Sequence, residues 1–443
     1  MTRVTRARQL VAAMKLHRSR KPLEFGTREN LLRHQREQFA QTVRYAVRRS
    51  PLYRDLYAGI DLSGDIDPAA LPTVTKDMLM ERFADWLCDP RLRPDELERH
   101  VEGLGLADEL FAGEFRVMPT GGTSGRRAIH AFDQAEWTDC LVAFMRWSEL
   151  FGLRPKLPRM RVATVMTAGA RHMTSRFNSS IDVGAHRTLR LDAGRPAAEL
   201  TAALQAFQPD ALLGYASAVG LLACEALDGR LAIAPRIVAT TSEVRPDETT
   251  ERIRTAWGVE PHNAFGSTET LYGGDCEHHT GIHLFEDQTL VEVLDGRLVI
   301  TSFMRRSQPL IRYELGDLAT LETGPCPCGR AFARVTAVDG RADDVLQLPA
   351  LGGATVAVHP IAIRSPLSAV AELRRYKVIH DREGLRVLVE LRAGGDEVGE
   401  RVATVLRDGL AKAGADVRPR VEIVDELADG SGSGKFRLIE TRA

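Results

Sequence analysis

The chain has 443 residues, about three times a common single-domain length, so two or more domains with buried cores are expected. Lys plus Arg (59) and Asp plus Glu (60) nearly cancel, which leaves no electrostatic reason to expect nucleic acid or an anionic membrane as a partner. No apolar run reaches the roughly 20 residues needed to cross a bilayer, so the implied partners are small molecules. Six cysteines are too few for a disulfide framework and point to a reducing compartment, the cytoplasm, with room for a metal site.

The first twenty residues carry Arg3, Arg6, Arg8, Lys15, Arg18 and Arg20 around an apolar stretch. Few hydroxyl side chains and no small-residue cleavage site make this a solvated basic helix rather than a transit peptide. Helical spacing over 30–57 breaks at Ser50-Pro51-Leu52-Tyr53. The β-branched runs at 161–166 and 236–241, with helical patterns at 197–207 and 217–226 between them, predict a mostly parallel α/β sheet. Alternation over 290–303 around Asp295-Gly296 predicts a hairpin. After Asp344 the pattern resets to strand (387–391), helix (402–413) and strand (421–424), an α+β unit of about a hundred residues. The boundary falls between Gly340 and Asp344, giving a large domain over 1–340 and a small one over 341–443.

Between the first helices and the sheet lies Thr120-Gly121-Gly122-Thr123-Ser124-Gly125-Arg126-Arg127. It lacks the lysine and spacing of a Walker loop, yet its backbone N–H groups, the hydroxyls of Thr120, Thr123 and Ser124, and Arg126 suit a polyphosphate. Downstream come Phe265-Gly266-Ser267-Thr268-Glu269, then Gly316-Asp317, Gly340-Arg341-Ala342-Asp343 and Gly434-Lys435. Cys326-Pro327-Cys328-Gly329 sets two thiolates on a tight turn. Cys276 and His283 offer a second knuckle for a tetrahedral site, and His278 or His279 could replace His283.

These motifs resemble the adenylate-forming superfamily of acyl-CoA synthetases and luciferases, most closely its phenylacetate-CoA ligase branch, over nearly the whole chain. The resemblance implies a large ATP- and acyl-binding domain with a β-barrel-like portion and a small mobile C-terminal lid. Residues 120–125 match the family loop, while Arg126 and Arg127 stand where Lys-Pro is usual; arginine keeps the positive charge. Phe265 would lie against adenine with Gly266 and Ser267 beside it, Thr268 near the α-phosphate, and Glu269 on Mg²⁺. Asp317 and Arg341 would reach the ribose, and Asp343 would be the hinge. Tyr215, Ala216 and Ser217 would line the acyl pocket together with Phe265 and Gly266. Ser242 and Glu243 would end the adenine-binding strand. Lys435 would neutralise the charge that builds as a carboxylate attacks the α-phosphate. Cys276, His283, Cys326 and Cys328 fall at the branch's Cys/His cluster, implying a structural Zn²⁺.

The implied activity is ATP-dependent formation of an acyl-adenylate with release of pyrophosphate, then acyl transfer to coenzyme A, from an aromatic or small organic acid. An amine or a carrier-protein thiol as acceptor is the alternative, and a non-catalytic nucleotide binder the second. A homodimer stays open.

Overall fold

The computed structural model describes residues 3–104, 109–120, 128–167, 172–182, 184–269, 272–341, 344–350, 353–368, 370, 372–427, 436 and 438–441. The chain forms two compact units, one from residues 1–160, 167–187 and 262–337, the other from 161–166, 188–261 and 338–443.

The first unit opens with α1 (Arg3–Glu24) and α2 (Arg28–Arg49), then the short helices α3 (Pro51–Leu56), α4 (Lys76–Glu81), α5 (Phe83–Trp86) and α6 (Pro94–Gly103). The side chain of Thr27 accepts from Asn30 N at the start of α2, and Pro51 opens α3 directly after Ser50, so the helix breaks where the sequence places it. The antiparallel pair β1 (Arg116–Pro119) and β2 (Ile129–Phe132) leads into α7 (Gln134–Leu150). A reciprocal capping box between Asp133 and Glu136 starts α7. The solvated reading of the first helix holds for one face and is corrected for the other. Gln9, Ala13 and His17 are buried, Gln9 Nε2 donates to Gln134 Oε1 at 2.9 Å, and His17 meets Glu149 at 2.9 Å. Of the basic residues that suggested a solvent face, Arg8, Lys15 and Arg18 are exposed, whereas Arg20 pairs with Asp139 on α7 at 2.5 Å.

The second unit contains β3 (Arg161–Met166), most of β4 (Arg187–Asp192), α9 (Ala197–Phe207), β5 (Ala211–Tyr215), α10 (Ala216–Leu227), β6 (Ile237–Thr241) and α11 (Asp247–Trp257); α8 (Met173–Ile181) belongs to the first. The strands run in the order β6-β5-β3-β4. The pairs β3 with β5 and β5 with β6 are parallel, as alternating strand and helix demand. Their core contains Ala163, Val165, Leu204, Leu212, Val219, Leu222, Val238 and Ile253. Each fully buried aliphatic of this size contributes about 1.5–3 kcal/mol relative to exposure.

Returning to the first unit, β7 (His262–Gly266), β8 (Tyr272–Asp275), β9 (Ile282–Leu284), β10 (Thr289–Leu294), β11 (Arg297–Ser302), β12 (Tyr313–Glu322) and β13 (Arg334–Arg341) follow. The pairs β7–β8, β8–β9, β9–β13, β10–β11 and β11–β12 are antiparallel. Asp295 and Gly296 take positive φ (50° and 78°) between β10 and β11, the turn geometry that matches strand twist.

The last stretch of the second unit holds β14 (Leu346–Pro349), β15 (Thr355–Val358), α12 (Ile361–Ser368), β16 (Leu373–Asp381), β17 (Gly384–Leu391), α13 (Asp396–Lys412), β18 (Arg420–Ile423) and β19 (Ile439–Thr441). Its four-stranded sheet has the order β18-β17-β16-β19. A separate core, including Leu346, Ile363, Val378, Val387, Val402 and Leu406, fills this module.

Candidate active site and metal cluster

Thr120 closes the base of the glycine-rich loop. Its N–H donates to Ala128 O at 2.7 Å and its hydroxyl oxygen accepts from Ala128 N at 3.1 Å. Gly121, Gly122, Thr123, Ser124, Gly125 and Arg126 lie outside the described residues, as do Asp343, Lys435 and the side chain of Arg341.

Phe265 is half-buried on β7 and pairs across the strand with Gly273, a partner with no side chain to cover the ring. Glycine is required there, since a Cβ on Gly273 would stand 2.7 Å from His283 O. Gly266 packs against Trp147, whose Cη2 would lie 3.2 Å from an added Cβ, and Trp147 Nε1 donates to Gly273 O at 2.6 Å. This close packing sets the exit of β7, from which Ser267, Thr268 and Glu269 continue half-buried. Asp317 sits half-buried on β12, directly after Gly316 at φ 82°. Arg312 precedes the strand at φ 47°. It pairs with Glu292 at 3.0 Å and donates to Leu71 O. Sequence reasoning passed over Arg312; its signal was a charge directly after the apolar Leu310-Ile311.

In the second unit, β6 ends at Thr241 and Ser242 follows at φ 67°, a left-handed conformation costly for a non-glycine residue. Glu243 comes next. Its Oε2 accepts from Ser217 N at 2.8 Å, placing a carboxylate on the positive end of α10. Its Oε1 accepts from Phe436 N at 3.2 Å. The structure therefore brings together Ser217, Glu243 and the residue after Lys435. Tyr215, at the end of β5, is 1% exposed and belongs to the hydrophobic core, while Ala216 begins α10 behind it.

Cys276, His283, Cys326 and Cys328 converge in the first unit, their donor atoms all within 4.8 Å of one another. Cys276 Sγ is 3.7 Å from Cys326 Sγ, and Cys328 Sγ is 3.3 Å from His283 Nε2. A tetrahedral zinc with bonds of about 2.3 Å to sulfur and about 2.0 Å to nitrogen needs S···S of about 3.8 Å and S···N of about 3.5 Å, so the donor set fits. The other imidazole nitrogen, Nδ1, faces Phe332 O at 3.4 Å, the outer contact that orients a ligating histidine. Burial lowers the His283 pKa to about 4 and raises the Cys276 pKa to about 12.

His278 and His279 are not part of this set. His279 Nδ1 meets Asp275 Oδ2 at 2.8 Å and His262 Nδ1 meets Asp275 Oδ1 at 3.2 Å. Burial pushes the Asp275 carboxyl up, but hydrogen bonds to both imidazoles outweigh it and hold the group below its ordinary value. Asp275 thereby ties the cysteine knuckle to the first residue of β7. Of the remaining cysteines, Cys140 and Cys224 are buried and Cys88 is half-buried, and burial pushes Cys140 up to about 12.

No family model matches the chain. Over 152 residues it is 32% identical to the phenylacetate-coenzyme A ligase of Thermus thermophilus, a stretch covering 30% of the chain and 33% of that protein. Against the phenylacetate-coenzyme A ligase of Pseudomonas putida it is 23% identical across 88% of the chain and 89% of the relative. It superposes with a TM-score of 0.74, at 22% identity, on 2-hydroxyisobutyryl-CoA ligase in the postadenylation state in complex with 2-HIB-AMP, covering 95% of this chain and 92% of that one. The chain shares the fold of this CoA ligase. Among the described residues, no helix is long and apolar enough to cross a membrane.

Proposed function

We propose that the chain is an AMP-forming acid–thiol ligase that activates an aromatic or small organic acid with ATP and passes the acyl group to coenzyme A. The observation that carries this reading is the motif series from Thr120 through Phe265-Glu269 and Asp317 to Lys435, set on a fold that superposes along 95% of its length on a ligase structure holding an acyl-adenylate.

A carboxylate oxygen of the acid attacks the α-phosphorus of ATP, the bond to the bridging oxygen breaks, and pyrophosphate leaves with the electron pair. The thiol sulfur of coenzyme A then attacks the acyl carbonyl, and AMP departs. Lys435 supplies positive charge where two anions meet in the first step. Backbone N–H groups of residues 121–125, with Thr123, Ser124 and Arg126, hold the β- and γ-phosphates. Thr268 contacts the α-phosphate. Phe265 flanks adenine, Ser242 ends the adenine-binding strand, and Asp317 and Arg341 each reach a ribose hydroxyl.

Glu269, a half-buried carboxylate at the exit of β7, suits Mg²⁺, a hard cation that needs only one or two protein carboxylates when phosphates fill its other positions. When bound, Mg²⁺ would screen the phosphate charge. Cys276, His283, Cys326 and Cys328 would hold Zn²⁺ with all four positions taken, a structural rather than catalytic site. Residues 341–443 form the lid, Asp343 its hinge, and swinging about it serves the two half-reactions in turn. Tyr215 and Phe265 are the aromatic side chains that support a flat acid. Unpaired cysteines support a reducing, cytoplasmic setting.

The test is product analysis with ATP, Mg²⁺, coenzyme A and a panel of aromatic and short aliphatic acids. Acyl-CoA with equimolar AMP and pyrophosphate is expected. ADP and phosphate, or an amide made only when an amine replaces coenzyme A, would contradict it.

A further inference from the structure

Strand β16 carries adjacent arginines that contact different parts of the second unit. Its pairing with β17 shifts register between Leu373 and Arg375, so Arg374 is an extra residue in the ladder. Such bulges re-aim side chains and leave main-chain groups open. Both effects are present. Arg252 on α11 donates to Leu373 O and, at 3.2 Å, to Arg374 O. The Arg374 side chain pairs with Glu225 on α10 and with Glu390 at 3.0 Å. Glu225 is buried and is also held by Arg230 at 2.5 Å. Arg230 reaches Asp228 at 2.6 Å, and Asp228 pairs with Arg392 at 2.8 Å. Charge, which salt screens, therefore joins α10 to the C-terminal module.

Arg375 makes the second set of contacts. Its guanidinium lies 4.3 Å from the centroid of the Phe436 ring and donates to Leu427 O at 3.4 Å. Leu427 N donates in turn to Glu390 Oε2 at 3.1 Å, and Phe436 N donates to Glu243. Residues 427 and 436 bracket the stretch that contains Lys435. Arg375 thus holds both of its ends.

We propose that the Arg374-Arg375 bulge is a coupling element: Arg374, through Glu225, docks the C-terminal module on α10, while Arg375 seats Phe436, the residue after Lys435, beside Glu243. Both are positioning residues for acyl-adenylate formation, acting through Lys435 rather than on the reacting atoms. The inference rests on the reading of Lys435 as the lysine of adenylation.

The test compares wild type with Arg374→Gln, Arg374→Lys and Arg375→Gln in three assays. These are ATP–pyrophosphate exchange with whichever acid drives the wild-type reaction, acyl transfer from the preformed acyl-adenylate to coenzyme A, and trypsin cleavage after Lys435 in the ligand-free protein. Exchange kcat is expected to fall about tenfold or more in both glutamine variants with KM for the acid within about twofold, because misplacement by an ångström costs on that scale. Acyl transfer stays within about twofold, Arg374→Lys recovers most of the exchange, and Arg374→Gln flattens its dependence on salt. In Arg375→Gln, cleavage after Lys435 speeds up about fivefold or more through local opening. Wild-type exchange and cleavage in Arg375→Gln would overturn the proposal, as would equal loss of both half-reactions. If wild type drives no exchange with any acid while Arg375→Gln still exposes Lys435 to trypsin, the seating by Arg375 stands and the ligase reading falls.

Discussion

Asp317 is one carboxylate on a half-buried strand, and its two oxygens can each accept a hydrogen bond from a ribose hydroxyl. Hydrogen bonds to a charged group contribute about 1.5–3 kcal/mol, so Asp317→Ala should raise KM for ATP by about tenfold or more and leave kcat close to wild type. An unchanged KM would remove Asp317 from the nucleotide site. His130 acts on stability instead. It is buried edge-on to Trp86 at 5.6 Å, and neither ring nitrogen has a hydrogen-bond partner among the described residues. Burial first, then the nearby positive charge of Arg305, lowers its pKa well below the ordinary value. The folded state therefore disfavours the proton that the unfolded state takes up below about pH 6.5, and stability present above that pH is lost as pH falls. His130→Phe should flatten the acid limb of urea-unfolding stability, measured from pH 7.5 to 5.5, by up to about 1.4 kcal/mol per pH unit. Parallel limbs in the two proteins would refute this.

At the scale of elements, local chemistry was readable where it acts within a few residues. Asp295-Gly296 specifies its hairpin because few residue pairs accept two positive φ angles, and Ser50-Pro51 specifies a break because proline starts helices and does not continue them. The Cys/His cluster was readable as a set, but choosing His283 over His279 needed the fold, since the contact of His279 with Asp275 depends on how the knuckle turns. The packed face of α1 was not readable, because nothing in the basic pattern around Arg8, Lys15 and Arg18, which are exposed, announces that Gln9, Ala13 and His17 are buried. Ser242 and Arg312 carry positive φ that no residue-type preference announces.

Two further expectations belong to this scale. A Cβ on Gly214 would lie 2.8 Å from Val165 O and 2.9 Å from Val219 Cγ2, a clash with backbone at the end of a buried strand. Gly214→Ala should cost about 1–3 kcal/mol in urea unfolding; no loss would mean that β5 shifts freely. If the cysteine knuckle holds zinc, purified protein should release about one equivalent to a chromogenic chelator after thiol modification, and Cys328→Ser should lower Tm by several degrees. Metal-free protein with an unchanged Tm in Cys328→Ser would make the cluster a set of packed thiols.

On the scale of the whole molecule, the two units and their separate cores explain why single motifs in this sequence mean little alone. The phosphate loop, the β7 exit and Asp317 belong to the first unit, whereas Ser242, Glu243 and the segment around Phe436 belong to the second. What made the series legible was its order along the chain, matched to a known family. The placement of Phe436 remained beyond sequence because it depends on contacts with Arg375 and Glu243, residues far apart in the chain.

Under the proposed function, Lys435 is the decisive cation in acyl-adenylate formation. ATP–pyrophosphate exchange across aromatic and short aliphatic acids, with Lys435→Ala alongside, tests it most directly. The expected result is exchange that requires one class of acid and falls by about 10²-fold or more in the variant, the scale at which removal of a charge-stabilising group acts. Binding of ATP without exchange for any acid, or exchange indifferent to the loss of Lys435, would contradict it.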